Sequence, residues 1–177
     1  MAGTLTCPVP TNINPLSPNG FRFSIQKLPT LTYFCQEVNL PGLTLGAPEM
    51  NNPFSVQPIP GEMLTYDTLN VRFLVDENMA NYIQLHNWIV ALGFPESYDQ
   101  YIDFNSADTR QMTSELAKNY SDGTLEILGS NNVAVKTISF ADIFPTSITS
   151  MIFQSTNTDV QYLVGDVVFR YARYKFL

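Results

Sequence analysis

The chain has 177 residues, of which 45% are hydrophobic and only 14% charged, and its formal net charge is -7. The length predicts a single domain, residues 1–177, with a sizeable core. A charge content well under the usual ~25% predicts a surface partly covered by other chains. The acidic balance excludes a protein that grips nucleic acid through its phosphates, which takes a basic footprint. Passage of DNA without specific binding stays compatible.

Residues 1–20 contain Pro8, Pro10, Pro15 and Pro18 and end in Asn19-Gly20, which predicts an extended arm. No basic segment followed by an apolar run opens the sequence, so a signal peptide is not expected. Residues 21–26 alternate strictly and predict a half-buried strand. A second strand is expected at 32–40, with Phe34, Val38 and Leu40 on one face and Tyr33, Cys35, Glu37 and Asn39 on the other. After a turn at Pro29-Thr30 the two read as a hairpin. Cys7 and Cys35 are read as free thiols, since two cysteines do not make a disulfide framework.

Residues 41–63 are rich in proline and glycine, which predicts a long loop without regular structure. They also carry Leu43, Leu45, Met50, Phe54, Val56 and Ile59, too apolar for a disordered linker. Those six side chains need something to bury against.

Residues 65–76 give the clearest alternation. Leu69, Val71, Phe73 and Val75 share one face, and Tyr66, Thr68, Asn70 and Arg72 the other. The period then changes to that of a helix, from Met79 to Leu92, with Asp76 or Asn78 as cap and Gly93 and Pro95 as stop. Its apolar arc includes Trp88 and predicts packing on the sheet. Asn81, Gln84 and Asn87 form the polar stripe, and His86 falls inside the arc as a buried or half-buried imidazole.

Residues 95–122 form an acidic insert, with a short helix expected at 107–119. Strands at 124–128 and 133–140 flank the turn Gly129-Ser130-Asn131-Asn132. Strands at 145–153 and 160–176 make a second hairpin, with a β-bulge expected at Gly165 where the apolar phase moves. The sum is a mainly β fold, an antiparallel β-sandwich or open barrel with one main α-helix.

The chemistry of catalysis is not assembled here. There is one histidine, and CxxC, HExxH and a glycine-rich phosphate loop after a strand are lacking, so neither enzyme activity nor a metal or cofactor is expected. Asp99, Asp103 and Asp108 do not match the spacing of a calcium loop. Tyr98, Tyr101 and Phe104 lack the neighbouring cations of a base-stacking platform. No apolar run reaches the ~18 residues of a membrane span, so no membrane partner is expected.

The order of elements, with "NGFRFSIQKL", "FCQEVNLPGLTLG", "YDTLNVRFLVDENMANYIQLHNWI" and "VGDVVFRYARYKF", resembles the tail tube proteins of contractile-tailed bacteriophages, over residues 20–177. The resemblance implies a virion structural protein, made in the host cytoplasm and built into the phage tail. Six subunits would close a ring-wide β-barrel around a pore, and rings would stack into the conduit for DNA ejection. It implies sheath, baseplate and tail terminator proteins as further partners. It assigns residues 41–63 to contact with the neighbouring ring, through Leu43, Leu45, Met50, Phe54, Val56 and Ile59. The lumen candidates are Glu37, Tyr66, Thr68, Asn70, Arg72 and Asp166, giving an acidic or neutral wall that DNA slides past. Two alternatives stand beside this reading. One is a baseplate tube-initiator of the same fold; the other is a capsid or carbohydrate-binding β-sandwich.

Overall fold

The structure, a computed structural model, describes residues 13–106, 118–156 and 161–177. Cys7, most of the N-terminal arm and nearly all of the helix expected at 107–119 lie outside these residues.

The chain opens with β1 (Phe21–Ile25), α1 (Pro29–Phe34) and β2 (Cys35–Val38). The short strands β3 (Leu43–Leu45), β4 (Glu49–Asn51), β5 (Val56–Pro58) and β6 (Leu64–Tyr66) lead to β7 (Leu69–Leu74). Helices α2 (Ala80–Gly93) and α3 (Asp99–Ser106) follow, and then β8 (Ser121–Leu128), β9 (Ala134–Ile148), β10 (Val164–Arg170) and β11 (Arg173–Phe176). The main sheet runs β1-β8-β9-β10-β7-β2, every pair antiparallel, and β11 also pairs with β9.

Strand β9 holds the sheet together. Its first half pairs with β8 on one edge and β11 on the other, and its second half pairs with β10. Between the two, Asp142 adopts φ 56°, a left-handed conformation that aspartate tolerates better than most residues. The chain forms the expected mainly β, antiparallel fold with one main helix. Leu69, Val71 and Phe73 of β7 point inward, as their alternation predicts. They meet Phe23, Ile25, Ile138, Phe140, Val167 and Phe169 in one core. α2 closes that core with Leu85 and Trp88, both fully buried, and Trp88 Nε1 donates to the Asn119 carbonyl at 3.2 Å.

Several local expectations are corrected. β1 and β2 do not form a hairpin: β1 pairs with β8 and β2 with β7. Pro29 starts a helix, as proline at the first helical position does, so the strand expected from 32 begins at Cys35. A register shift between Cys35 and Glu37 turns both Cys35 and Val38 toward the core. The strands expected at 133–140 and 145–153 are one strand, β9, up to Ile148. The strand expected at 160–176 splits into β10 and β11 at Tyr171-Ala172.

In α2 no side chain caps the N-terminus; Met79 occupies that place at φ 55°. Asn81 belongs to the core rather than the polar stripe, because its amide Nδ2 donates to the Leu74 carbonyl at 2.7 Å and its Oδ1 accepts from the Asp76 N–H at 3.3 Å. His86 is exposed. Gly165 keeps regular register opposite Phe73, and the irregularity lies instead between Val168 and Phe169. A Cβ at Gly165 would lie 2.9 Å from the tip of the Phe73 ring, so the glycine makes room for that ring.

Candidate assembly surfaces

Residues 43–66 are not the irregular loop that proline and glycine suggest. β3 pairs with β6 and β4 with β5, making a narrow two-step β-arm. Between the steps Gly61 N–H donates to Gly46 O at 2.7 Å, an approach that would leave an added Cβ only 2.4 Å from that oxygen. The arm's base is tied down. Tyr66 sets its ring edge-on against Tyr171 and Tyr174, with centroids 5.8 and 5.7 Å away. Tyr174 Oη donates to the Pro41 carbonyl at 3.3 Å. Burial pushes the Tyr171 phenol up to about 12, helped by Tyr174 and Asp67 nearby. The sequence reading missed this anchor, although the spacing of Phe169, Tyr171, Tyr174 and Phe176 carried a signal for it.

Above its base the arm fully buries none of its side chains. Leu43, Leu45, Met50, Val56 and Ile59 are all exposed, and Phe54, at the tip, is 99% exposed.

The second surface is the outer face of β2, β7 and β10. Arg72 lies at its centre, with Nε 2.8 Å from Asp166 Oδ1 and Nη1 3.3 Å from Glu37 Oε2. The hydrogen bond to Asp166, then the two negative charges, hold the guanidinium above its ordinary pKa. Asn70 stands beside it, its backbone N–H donating to Asn39 Oδ1 at 2.6 Å. Asn39 Nδ2 in turn donates to the Thr68 carbonyl at 3.1 Å. Glu37, Asn70, Arg72 and Asp166 therefore share one face. Thr68 is half-buried between β6 and β7, and Tyr66 sits on β6 with the tyrosines of the arm's base.

Elsewhere, His86 Nδ1 lies 3.5 Å from Asn87 Oδ1 in solvent. Among the described residues no three His, Cys, Asp or Glu side chains are placed to hold a metal ion, and no helix is long and apolar enough to cross a membrane. Burial raises the Cys35 thiol to about 11.

A family model described as "Phage tail tube protein" matches residues 6–177. The chain belongs to the phage tail tube protein family. It is thus a structural tail tube protein. Among curated proteins none matches the tail tube chain in sequence. Solved structures share its fold at low identity. A chain of the anti-feeding prophage baseplate superposes with TM-score 0.62 at 15% identity, covering 93% of this chain and 96% of that one. A chain of the sheath/tube terminator of an extracellular contractile injection system gives 0.60 at 19%, covering 93% and 97%. A chain of that system's sheath-tube complex gives 0.53 at 17%, covering 92% and 91%.

Proposed function

We propose that this tail tube protein is the repeating subunit of a contractile-type tail, with six copies closing a ring and rings stacking into the conduit for DNA. The observation that carries this reading is the arm, anchored by tyrosines at its base yet leaving Leu43, Leu45, Met50, Phe54, Val56 and Ile59 exposed. A folded apolar element held away from its own core needs a partner surface.

Two unpaired sheet edges beside the Arg72 face support the ring. Among the described residues β2 pairs only with β7, and the stretch 144–148 of β9 only with β10. Open edges invite pairing with another chain, and closure around a ring would pair these two with each other. The face of Glu37, Asn70, Arg72 and Asp166 lies on the sheet between those edges and would turn toward the lumen. Its central cation, Arg72, is flanked by two carboxylates, and Arg170 stands at the margin of the same face, so the wall is near neutral and DNA meets no continuous run of positive charge. Sheath, baseplate and terminator proteins would complete the assembly, built in the host cytoplasm before entering the virion.

Electron microscopy and sedimentation of the purified protein test this. Hollow tubes or six-membered rings are expected. A monomer at high concentration would overturn the proposal, and single rings that stack only on another tail protein would favour the tube-initiator instead.

A further inference from the structure

The arm leaves the sheet at the Leu69 end of β7, and a second apolar surface lies at the opposite end. Cys35, Phe73 and Gly165 form a row across β2, β7 and β10 near that end. Beyond the row stand Tyr33 of α1, 86% exposed, and Tyr162, 78% exposed. Ile148 pairs with Val167, and Thr149 N–H donates to the Asp166 carbonyl at 2.9 Å, so β9 runs out at the same end. It delivers Ile152 and Phe153, which are 74% and 70% exposed.

Resting on the reading of residues 41–63 as the ring-to-ring contact, we propose that the arm of one copy docks on Tyr33, Ile152, Phe153 and Tyr162 of a copy in the next ring. The two surfaces lie at opposite ends of one sheet. A contact between different patches propagates without limit, whereas one patch meeting itself stops at a pair. The arm is large enough for the task. Every residue from 43 to 66 is exposed except Gly61 and Tyr66, a stretch matching the ~20–30 residues on each side of a standard interface. Twelve extended residues from 43 to 54 reach about 40 Å at ~3.3 Å each, about twice the span of six-residue β7. Residues 43–66 carry Glu49 and Glu62 with no lysine or arginine, and the acceptor stretches 29–34, 149–156 and 161–163 carry no charge, with Asp76 and Glu77 beside them at the end of β7.

Two variants test the polarity of the contact. Phe54→Asp disables the arm, and Phe153→Asp with Tyr162→Asp disables its acceptor. Each alone is expected to give rings that do not stack, and a mixture is expected to give stacks of two rings and no longer ones. Long tubes from the acceptor variant, or a mixture that stays as single rings, would overturn the acceptor while leaving the arm's role standing. Long tubes from Phe54→Asp would remove the arm reading itself. Should either variant fail to form rings, tubes carrying Phe54→Cys and Phe153→Cys, with Cys7 and Cys35 replaced by serine, give an independent measurement. Oxidation should link subunits into a ladder extending beyond dimers. Tubes that yield no ladder would refute the contact.

Discussion

Arg72 Nε lies 2.8 Å from Asp166 Oδ1 on one neighbouring strand, while its Nη1 lies 3.3 Å from Glu37 Oε2 on the other. One cation is thus held between two anions across three strands, and the trio carries net negative charge. All three side chains are substantially exposed, so the arrangement adds little to stability. Its consequence lies in the surface it presents. Glu37→Lys and Asp166→Lys, singly or together, are expected to leave subunit and tube intact while slowing genome ejection. Each adds a phosphate-binding cation beside Arg72, and each such contact strengthens DNA binding in a salt-dependent way. Ejection rates measured at two salt concentrations should show the defect shrinking as salt rises. Unchanged rates would remove this face from the lumen.

Replacing Leu43, Leu45 and Phe54 together with serine should leave the subunit folded and stop tube growth. In the free subunit these side chains already face water, so folding loses little. In a stacked tube each would forfeit up to roughly 1.5–3 kcal/mol of burial, less for the half-covered leucines than for Phe54. Circular dichroism and microscopy of the same sample check both halves. An unfolded triple variant would mean that the arm belongs to its own subunit's core.

How much of this was legible from sequence varied with the range of the interactions. The polar pair Asn70 and Arg72 against buried Leu69, Val71 and Phe73 could be read directly, because a half-buried strand writes its two faces with period two. The hairpin of β1 with β2 could not be checked locally, since β1's true partner lies about a hundred residues later. Thr32, Tyr33 and Phe34 favour strands by propensity. They are helical because Pro29 sets the first turn and Leu31 buries itself in the core. Asn81 looked like a solvent-facing residue until its amide was seen to join the end of β7 to the start of α2. In the arm, prolines and glycines hid two short ladders, because neither pairing exceeds three residues. The apolar side chains requiring a partner were plain in the sequence. That they remain exposed on an anchored arm was not.

Cys35 gives a pH dependence with a definite sign. Burial raises its thiol from 9.0 to about 11, partly offset by a hydrogen bond with the Glu37 backbone. The folded state thus favours the protonated form. The contribution to stability is complete below pH 9.0 and is lost as pH rises toward about 11. In a Cys7→Ser background, the urea midpoint should fall more steeply between those values than in the same chain with Cys35→Ala. Alkylation of Cys35 at neutral pH should be slower than that of a free thiol, by up to about 100-fold for a shift of two units. Alkylation at the rate of a free thiol would show that Cys35 is not buried as described.

Gly165 is the sharpest single-residue test of the packing. It sits in β10 directly opposite Phe73 of β7, with regular register on both sides. A Cβ there would stand 2.9 Å from Phe73 Cζ and 3.2 Å from its Cε1, closer than carbon atoms pack. Phe73 is fully buried, and the core around it includes Phe169 and Val71, so the ring has little room to yield. Gly165→Ala should therefore cost about 1–3 kcal/mol of stability through overpacking. Removing the obstruction in the same chain, with Phe73→Leu, should recover part of that loss, since the leucine has no ring carbon reaching the new methyl. Denaturant unfolding followed by Trp88 fluorescence gives the four midpoints of the double-mutant cycle. If the two effects simply add, the contact between Gly165 and the Phe73 ring does not limit the packing of the sheet.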